Sequence, residues 1–201
     1  MTRRIVLLRH GRTEWNATRR IQGQLDPGLD ETGHQQARAV APAVAKLDPA
    51  VLWSSDLVRA RETVAYVADE TGLGVTYDAR LREFHVGNVQ GLTHEELAAQ
   101  DAGEYARFRA GDWDAIPGAE TRAQVAERVS AALVDLAAAL APGETGVAVA
   151  HGAAIRTGAV AWLGWPPDHA WDLRALGNCA WLELVERPSG RWALLAYNRT
   201  A

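Results

Sequence analysis

Two histidines stand at equivalent places in two similar segments of the chain. IVLLRHG ends at Gly11 and GVAVAHG ends at Gly152, and each is a short apolar run followed by histidine and glycine. If both runs are parallel strands of one sheet, their carboxyl ends lie at the edge where open α/β sheets bind ligands. Either histidine alone is best interpreted as structural, but the pair, His10 and His151, favours a functional site. A glycine after each lets a ligand approach the backbone.

Arginines near the first histidine indicate phosphate chemistry. Arg9 and Arg12 flank His10, and Arg59 lies in SSDLVRARET, close to the start of a predicted helix. Guanidinium groups bind phosphate oxygens in pairs, and the free amides of a helix N-terminus add further donors. Nearby cations also disfavour the imidazolium form, so we expect His10 to be neutral and able to attack phosphorus.

Breaking a phosphate ester also requires a proton for the departing alkoxide. Glu83, in LREFHVGNVQGLTHEE, is the favoured acid, because a carboxyl beside a bound phosphate dianion is driven toward its protonated form. A salt bridge from Glu83 to Arg80 or Arg82 explains the local sequence equally well. His85 and Glu120 are the alternative acids.

Other chemistries have little support in the sequence. It contains no Walker loop, no G-x-S-x-G, no CxxC and no H-E-x-x-H motif. Arginines around the two histidines oppose binding of a divalent cation, so we expect neither a metal nor another cofactor. Cys179, the single cysteine, starts an apolar strand and is interpreted as buried filler rather than as a nucleophile.

The bulk composition limits the partners and the location. The net charge of −4 and the pI of about 5.9 give no reason to expect nucleic acid or an acidic membrane as a partner. No apolar run approaches the roughly 18 residues of a membrane span, and the apolar stretch at the N-terminus is too short for a signal peptide. With one cysteine and no possible intrachain disulfide, a cytoplasmic protein is expected. A homodimer is one assembly that the sequence leaves open.

The remaining pattern predicts the scaffold. A chain of 201 residues that is 48% hydrophobic can form one core, so we expect a single domain over residues 1–201. Residues 5–8, 51–53 and 146–150 are predicted buried strands. Helices are predicted from Thr32, from SSDL to Gly72, and over residues 121–141.

Two further stretches complete this prediction. AWLELVERPSGRWALLAYN alternates on both sides of Pro188, which is typical of a hairpin and predicts a mostly parallel sheet with an antiparallel edge. Residues 84–120 are polar and irregular, with short helices near 93–101 and 103–110. We interpret that stretch as a segment inserted over the edge of the sheet.

These blocks resemble the histidine phosphatase superfamily, in its phosphoglycerate-mutase-like branch. LLRHGRTEWN, QGQLDPGLDETGHQQA, SSDLVRARET, LREFHVGNVQGLT, PGAET and VAHGAAIR occur in the family's order and span nearly the whole chain. The resemblance implies an α/β fold, a three-layer α/β/α sandwich with its site at the carboxyl edge of the sheet. It also implies a metal-independent phosphatase acting through a phosphohistidine intermediate.

The resemblance also implies roles for individual residues. His10 becomes phosphohistidine, while Arg9, Arg59 and His151 complete the phosphate pocket. Glu83 protonates the leaving group and later activates water. Residues matching secondary phosphate- or substrate-binding positions are Thr13, Asn16, Gln22 and Gly23. Arg12, His85 and Gly152 are further candidates for phosphate or substrate binding.

Within the family the sequence favours a phosphatase over a mutase. The stretch between Glu83 and Glu120 is short, whereas cofactor-dependent mutases carry extra segments that close over the site. A mutase-type phosphotransferase and a non-catalytic phospholigand-binding protein on the same fold are the alternatives. His85, Gln90 and Asn178 resemble the glucosyl-3-phosphoglycerate phosphatase group. Broad-specificity relatives share many of these residues, so the expected substrate is a small phosphorylated metabolite, a sugar phosphate or a phosphoglycerate-type ester.

Overall fold

Six strands form one mixed sheet in the computed structural model, which describes residues 2–201. The strands are β1 Arg4–Arg9, β2 Pro49–Ser54, β3 Val75–Tyr77, β4 Thr145–Ala150, β5 Trp181–Glu186 and β6 Trp192–Arg199. Their order is β3-β2-β4-β1-β5-β6. The first four in this order are parallel to one another, and β5 runs antiparallel to both β1 and β6. The predicted sheet, mostly parallel with an antiparallel hairpin at one edge, is confirmed.

Helices cover both faces of the sheet. The α-helices of the described residues are α1 Glu14–Ala17, α2 Glu31–Ala45, α3 Val58–Thr71, α4 His94–Gln100, α5 Ala102–Ala110, α6 Arg122–Ala138, α7 Gly152–Trp162 and α8 His169–Asp172. Successive side chains of a strand point to opposite faces. In β1, Val6 and Leu8 therefore join the core beneath α2 and α3, while Ile5 and Leu7 join the core beneath α6 and α7. The three-layer α/β/α sandwich is confirmed.

The ends of the predicted helices agree with the structure to within a few residues. Helix α3 ends at Gly72, which adopts a φ of 72° that glycine tolerates without strain. Pro42 lies inside α2, which continues to Ala45. Helix α6 ends at Ala138 rather than at residue 141.

Helix α7 follows β4, where the sequence predicts a helical pattern without giving its bounds. Its sequence, GAAIRTGAVAW, is apolar on most sides and lacks the alternation of polar and apolar faces that marks a surface helix. A Cβ atom at Gly158 would lie 2.2 Å from Val129 Cγ1, so glycine at this position allows α7 to pack closely on α6.

The irregular segment 84–120 carries α4 and α5 and lies beside the carboxyl edge of the sheet. The isolated bridge from Arg20 to Thr93 joins it to the loop after α1, and the bridge from Val86 to Ala119 joins its own two ends. Its aromatic rings form a cluster: Phe84 and Phe108 both contact Trp113, with ring centroids 4.8 and 5.5 Å apart. We call this stretch the cap segment.

No helix among residues 2–201 is both long enough and apolar enough to cross a lipid bilayer.

Candidate active site

The sheet brings the two histidines together. Strands β1 and β4 are parallel neighbours with Arg9 opposite Ala150, so His10 and His151 follow at the same edge. Their ring centroids lie 5.1 Å apart, and the side chains are 3% and 0% exposed. The connection after β1 leads to one side of the sheet and that after β4 to the other. Ligands of open α/β sheets bind at the crevice that such a reversal creates.

His10 is held in one tautomer by the backbone carbonyl of Gly11. Its Nδ1 lies 2.7 Å from the carbonyl oxygen of Gly11. A carbonyl can only accept, so Nδ1 carries the proton and Nε2 keeps its lone pair. Burial, followed by the nearby charges of Arg59 and Arg9, holds the pKa of His10 well below its usual 6.5. His10 is therefore a neutral base with one free nitrogen.

Two buried guanidinium groups stand beside these rings. Arg59 is 1% exposed; its Nη1 and Nη2 donate to the carbonyls of Leu25 and Gly23 at 2.8 and 2.7 Å. Arg9 donates through Nη1 to the carbonyl of Leu176. The Nε–H of each arginine is buried and has no hydrogen-bond partner within residues 2–201. Buried donors are nearly always paired in folded proteins, so this pair indicates a binding site for an anion.

The burial of Arg59 also perturbs its ionisation. Desolvation lowers the pKa of Arg59 to about 10, and the carboxylate of Asp26 lies 3.8 Å away at the more exposed end. Arg59 therefore remains a cation at neutral pH with its charge only partly balanced. An anion in the cavity would complete that balance.

The Glu83 carboxylate is fixed at the N-terminus of α7. Its Oε1 accepts from the amides of Phe84 and Ala154 at 3.0 and 2.9 Å, and its Oε2 accepts from the amide of Ala153 at 3.1 Å. The amides of Ala153 and Ala154 belong to the first turn of α7 and fix the orientation of the Glu83 carboxyl group. Glu83 also lines the same cavity as His10.

Glu83 forms no salt bridge with Arg80 or Arg82 within the described residues, so that interpretation of the sequence is wrong. Arg80 pairs with Asp78 at 2.6 Å, and Arg82 pairs with Asp56 at 2.5 Å. Because both arginines have other partners, the Glu83 side chain is free to line the cavity and to accept hydrogen bonds from the amides of α7.

Glu120, one of the alternative acids, is held in its charged form. Its carboxylate pairs with Arg128 at 2.9 Å and accepts from the backbone amide of His85 at 2.8 Å. Burial alone would raise its pKa, but the hydrogen bonds from Arg128 and the His85 amide outweigh it and lower the pKa of Glu120. Arg128 also donates to the carbonyl of Glu83 at 2.9 Å, so this pair supports the loop that carries Glu83.

His85, the other alternative, does not line the cavity. Its Nδ1 lies 3.0 Å from the carbonyl of Gly118, and its Nε2 lies 3.1 Å from Nε2 of Gln90. Gln90 in turn accepts from the backbone amide of Gln24 at 2.8 Å. His85 therefore supports the loop after Gly23 from behind, and neither the acid role nor direct substrate binding fits its position.

Thr13 and Asn16 form the N-terminal cap of α1. The Asn16 side-chain oxygen accepts from the Thr13 amide at 3.1 Å and from the Asn178 side chain at 3.3 Å. Because its oxygen is engaged, the Asn16 nitrogen is the atom left to donate into the cavity that Asn16 lines. Thr13 is buried and does not line it, so Thr13 positions Asn16.

Arg12 lies away from the cavity. Its Nε donates to the Asp30 carboxylate and its Nη2 to the Thr32 hydroxyl, both at 2.8 Å. Asp30 is the N-cap of α2, so Arg12 ties the loop after β1 to the start of that helix. The geometry does not support Arg12 as a substrate-binding residue.

Gly152 acts through Arg9. A Cβ atom at position 152 would lie 3.4 Å from Arg9 Nε, so the missing side chain gives the guanidinium room beside the first turn of α7. Gly152 is not itself part of the cavity wall.

The cavity has a volume of about 160 Å³ and two kinds of lining. Its inner end is formed by Arg9, His10, Arg59 and Glu83, with Asn16, Gln22 and Gly23 beside them. We call this inner end, together with His151, the phosphate end. The outer lining, which we call the mouth, consists of Arg20, Ile21, Val86, His94, Phe108 and Trp113. Of the mouth residues, sequence reasoning indicated only Trp113, because the others come from separate segments and form no motif.

One other feature agrees with the sequence interpretation. Cys179 is buried, and burial raises the pKa of its thiol to about 12, which disfavours a nucleophilic thiolate. Across residues 2–201, no three histidine, cysteine, aspartate or glutamate side chains come together as a metal site would require.

Comparison with known proteins agrees with this geometry. Residues 5–200 match the histidine phosphatase superfamily (branch 1). A glucosyl-3-phosphoglycerate phosphatase of Mycolicibacterium vanbaalenii is 39% identical, over 99% of this chain and 96% of the relative. A probable phosphoglycerate mutase of Salmonella paratyphi C is 35% identical, over 94% of this chain and 86% of the relative.

A solved structure shows the same fold over its whole length. A mycobacterial glucosyl-3-phosphoglycerate phosphatase in complex with VO3 superimposes with a TM-score of 0.90 and 38% identity, over 98% of this chain and 100% of the other.

Proposed function

This chain belongs to the histidine phosphatase superfamily (branch 1) and is a phosphatase of small phosphomonoesters, and from that premise we propose that it acts through a phosphohistidine formed at His10. One observation carries this proposal. The free Nε2 of His10 lies in the same cavity as the two arginines, Arg9 and Arg59, whose buried Nε–H groups have no partner within residues 2–201. A neutral nucleophile beside unpaired cationic donors suits attack on a phosphoryl group.

The proposed first step transfers the phosphoryl group to His10. The Nε2 lone pair forms the N–P bond while the P–O bond to the alcohol breaks. Arg9 and Arg59, aided by the Asn16 nitrogen, neutralise the charge on the phosphoryl oxygens. Glu83 gives a proton to the departing alkoxide oxygen, so the first product leaves as a neutral alcohol.

The proposed second step reverses the role of Glu83. It takes a proton from a water molecule, whose oxygen attacks phosphorus and breaks the N–P bond. Inorganic phosphate leaves, and His10 and Glu83 return to their starting protonation states. The backbone amides of Ala153 and Ala154 stabilise the Glu83 carboxylate between the two steps.

The proposed substrate is a sugar phosphate or phosphoglycerate-type ester. The mouth offers aromatic faces from Phe108 and Trp113 and a cation, Arg20, which suit an alcohol with both a hydrocarbon face and polar groups. Glucosyl-3-phosphoglycerate is the first substrate to try, because a phosphatase of that ester is 39% identical to this chain.

A phosphoglycerate mutase activity is the second candidate, favoured by the relative that is 35% identical. A mutase must retain the phosphoenzyme while its product reorients, which a phosphatase does not need to do. A phospholigand-binding protein without catalytic activity is disfavoured, because such a protein has no need of the nucleophile and the acid. This chain keeps the complete proposed set: Arg9, His10, Arg59, Glu83 and His151.

A metabolite screen tests this proposal. We expect release of inorganic phosphate from a few small phosphomonoesters, with no effect of EDTA, and no interconversion of 2- and 3-phosphoglycerate. Loss of activity on adding EDTA would contradict the metal-independent mechanism. Interconversion without net hydrolysis would instead favour the mutase.

Three further features stay predictions: the cytoplasmic location, the single domain over residues 1–201, and the homodimer. The edge strand β6, where Leu195 is 53% exposed, offers a surface through which a second copy could add. Light scattering coupled to gel filtration measures the mass in solution and decides the oligomeric state.

A further inference from the structure

The second histidine differs from the first in what holds its ring. His10 is bonded to its neighbour's carbonyl, whereas Nε2 of His151 lies 2.9 Å from the hydroxyl oxygen of Ser55. Both His151 and Ser55 are fully buried, and His151 Nδ1 has no hydrogen-bond partner in the described chain. A hydroxyl can donate or accept, so this contact alone does not say which ring nitrogen carries the proton.

Counting donors and acceptors distinguishes the two possibilities. The Ser55 oxygen already accepts from the amide of Leu57 at 3.3 Å. If His151 Nε2 also donated to it, the Ser55 proton and the Nδ1 lone pair would both lack a partner within residues 2–201. If Ser55 donates to Nε2 instead, only the Nδ1–H remains unpaired. Each buried unpaired polar group is costly, so the second arrangement is favoured.

The ring of His151 must also be neutral for its proton to have a single position. Burial, followed by the charge of Arg59, holds the pKa of His151 well below 6.5. At neutral pH the ring therefore carries one proton, on either Nδ1 or Nε2. The partner at Nε2 decides between them.

We propose that Ser55 is a positioning residue, whose hydroxyl keeps the His151 proton on Nδ1 so that this nitrogen donates to a phosphoryl oxygen. The inference rests on the proposed function, because the donor acts only when a phosphoryl group lies in the cavity. The two histidines then share one tautomer and use opposite nitrogens. His10 offers its Nε2 lone pair to phosphorus, and His151 offers its Nδ1–H to an oxygen.

The structure also supplies a matched control. Ser54, the last residue of β2, is buried like Ser55, and its hydroxyl donates to the Ser55 carbonyl at 2.8 Å without contacting His151. Ser54→Ala removes one buried hydroxyl from the same stretch. It separates a loss of packing from a loss of the hydrogen bond to His151.

Nitrogen NMR of histidine-labelled protein tests the tautomer directly. With inorganic vanadate bound to the wild-type protein, we expect the His151 signals of an Nδ1–H, Nε2 lone-pair ring, assigned by their loss in His151→Gln. An Nε2–H ring in that sample would overturn the proposal. The measurement needs no turnover. A protein without phosphatase activity would contradict the proposed function, but the tautomer of His151 would still be decided by these signals.

Kinetics test the consequence. For Ser55→Ala we expect kcat to fall on the order of 100-fold, the usual cost of one transition-state donor, with a parallel loss of vanadate inhibition and little change in KM. Ser55→Thr keeps the hydroxyl and should recover most of the activity, while Ser54→Ala should stay within about threefold of wild type. Equal losses in Ser54→Ala and Ser55→Ala, both folded by circular dichroism, would overturn the proposal. If the Ser55 variants do not fold, the NMR result on the wild-type protein decides.

Discussion

The phosphate end and the mouth of the cavity are built in different ways. At the phosphate end, backbone groups fix three of the side chains: the Gly11 carbonyl holds His10, the Gly23 carbonyl holds Arg59, and two amides of α7 hold Glu83. His151, held by the Ser55 hydroxyl, is the exception. At the mouth, aromatic side chains pack on one another, as in the stacked rings of Phe108 and Trp113, 5.5 Å apart, and Trp113 Nε1 also donates to the Phe108 carbonyl.

This difference separates chemistry from substrate choice. Backbone partners at the ends of buried strands do not depend on neighbouring side chains, so the phosphate end is set by the fold. A wall of packed side chains in the cap segment changes shape whenever one of them changes. We therefore expect substitutions at the phosphate end to alter kcat for every substrate, and substitutions at the mouth to alter the preference among substrates.

The largest effect is expected at Glu83, the proposed acid. Glu83→Gln keeps the shape but cannot supply a proton, so kcat for an alkyl phosphate should fall by about 10²- to 10⁴-fold. With p-nitrophenyl phosphate, whose leaving group needs no proton, the first step should be affected far less, while the second step, in which Glu83 activates water, slows equally for both substrates. Pre-steady-state release of the alcohol from the two substrates isolates the first step and measures the contrast.

The control for Glu83 is Glu127→Gln, an exposed glutamate on α6. It should leave both rates unchanged. Equal losses in the rate of the first step on both substrates in Glu83→Gln would contradict the acid role.

The pH dependence is the next largest effect. His10 must be neutral, and because burial and the two arginines hold its pKa well below 6.5, the acid side of the profile should lie well below pH 6.5. Below that point the rate should fall about tenfold per pH unit, as protonated His10 accumulates.

A profile of kcat/KM over the full range in which the protein stays folded measures this acid limb, because kcat/KM reports the ionisation of the free enzyme. An acid limb centred at or above pH 6.5 would contradict the neutral, cation-flanked nucleophile.

At the mouth we expect a smaller and more selective effect. Trp113→Phe keeps a ring against Phe108 but removes area from the wall, so KM for the preferred metabolite should rise by about 3- to 10-fold, while kcat for p-nitrophenyl phosphate changes less than about twofold. Trp165→Phe, outside this cavity, is the control. A loss of kcat on both substrates would remove the distinction between the two ends.

The smallest effect is expected at Arg12, which is next to Gly11 in sequence but paired with Asp30 in space. Its side chain is 38% exposed, so Arg12→Ala should lower the free energy of unfolding by no more than about 1 kcal/mol. Activity should stay within about twofold, by the usual scale of substitutions outside a site. Thermal unfolding and p-nitrophenyl phosphate kinetics check both; a large rise in KM would place Arg12 in the phosphate end after all.

The same contrast explains what the sequence could predict. The sheet, the long helices and the meeting of His10 with His151 followed from short apolar runs, two of which end in histidine and glycine. Local motifs were also enough to predict Arg9, Arg59 and Glu83 as site residues, because each lies close to the start or end of a helix or strand.

The features of the site that the sequence could not predict depend on contacts between distant segments. Arg12 follows His10 closely in sequence, yet its ion pair with Asp30 holds its side chain away from the cavity. His85 lies two residues from Glu83, yet it faces Gln90. The Ser55 contact joins β2 to β4 across the sheet edge, and Trp113 reaches the mouth only through the folding of the cap segment. Sequence spacing contains no information on these pairings.

The most direct test of the account is capture of the phosphoenzyme. After rapid quenching of the wild-type enzyme during turnover, we predict one acid-labile phosphate per active chain, located by mass spectrometry on His10 and by phosphorus NMR on its Nε2. His10→Ala should carry none, while His169→Ala, a surface histidine paired with Asp172, should be labelled like the wild type. Phosphate on any residue other than His10, or full turnover by folded His10→Ala, would contradict the account.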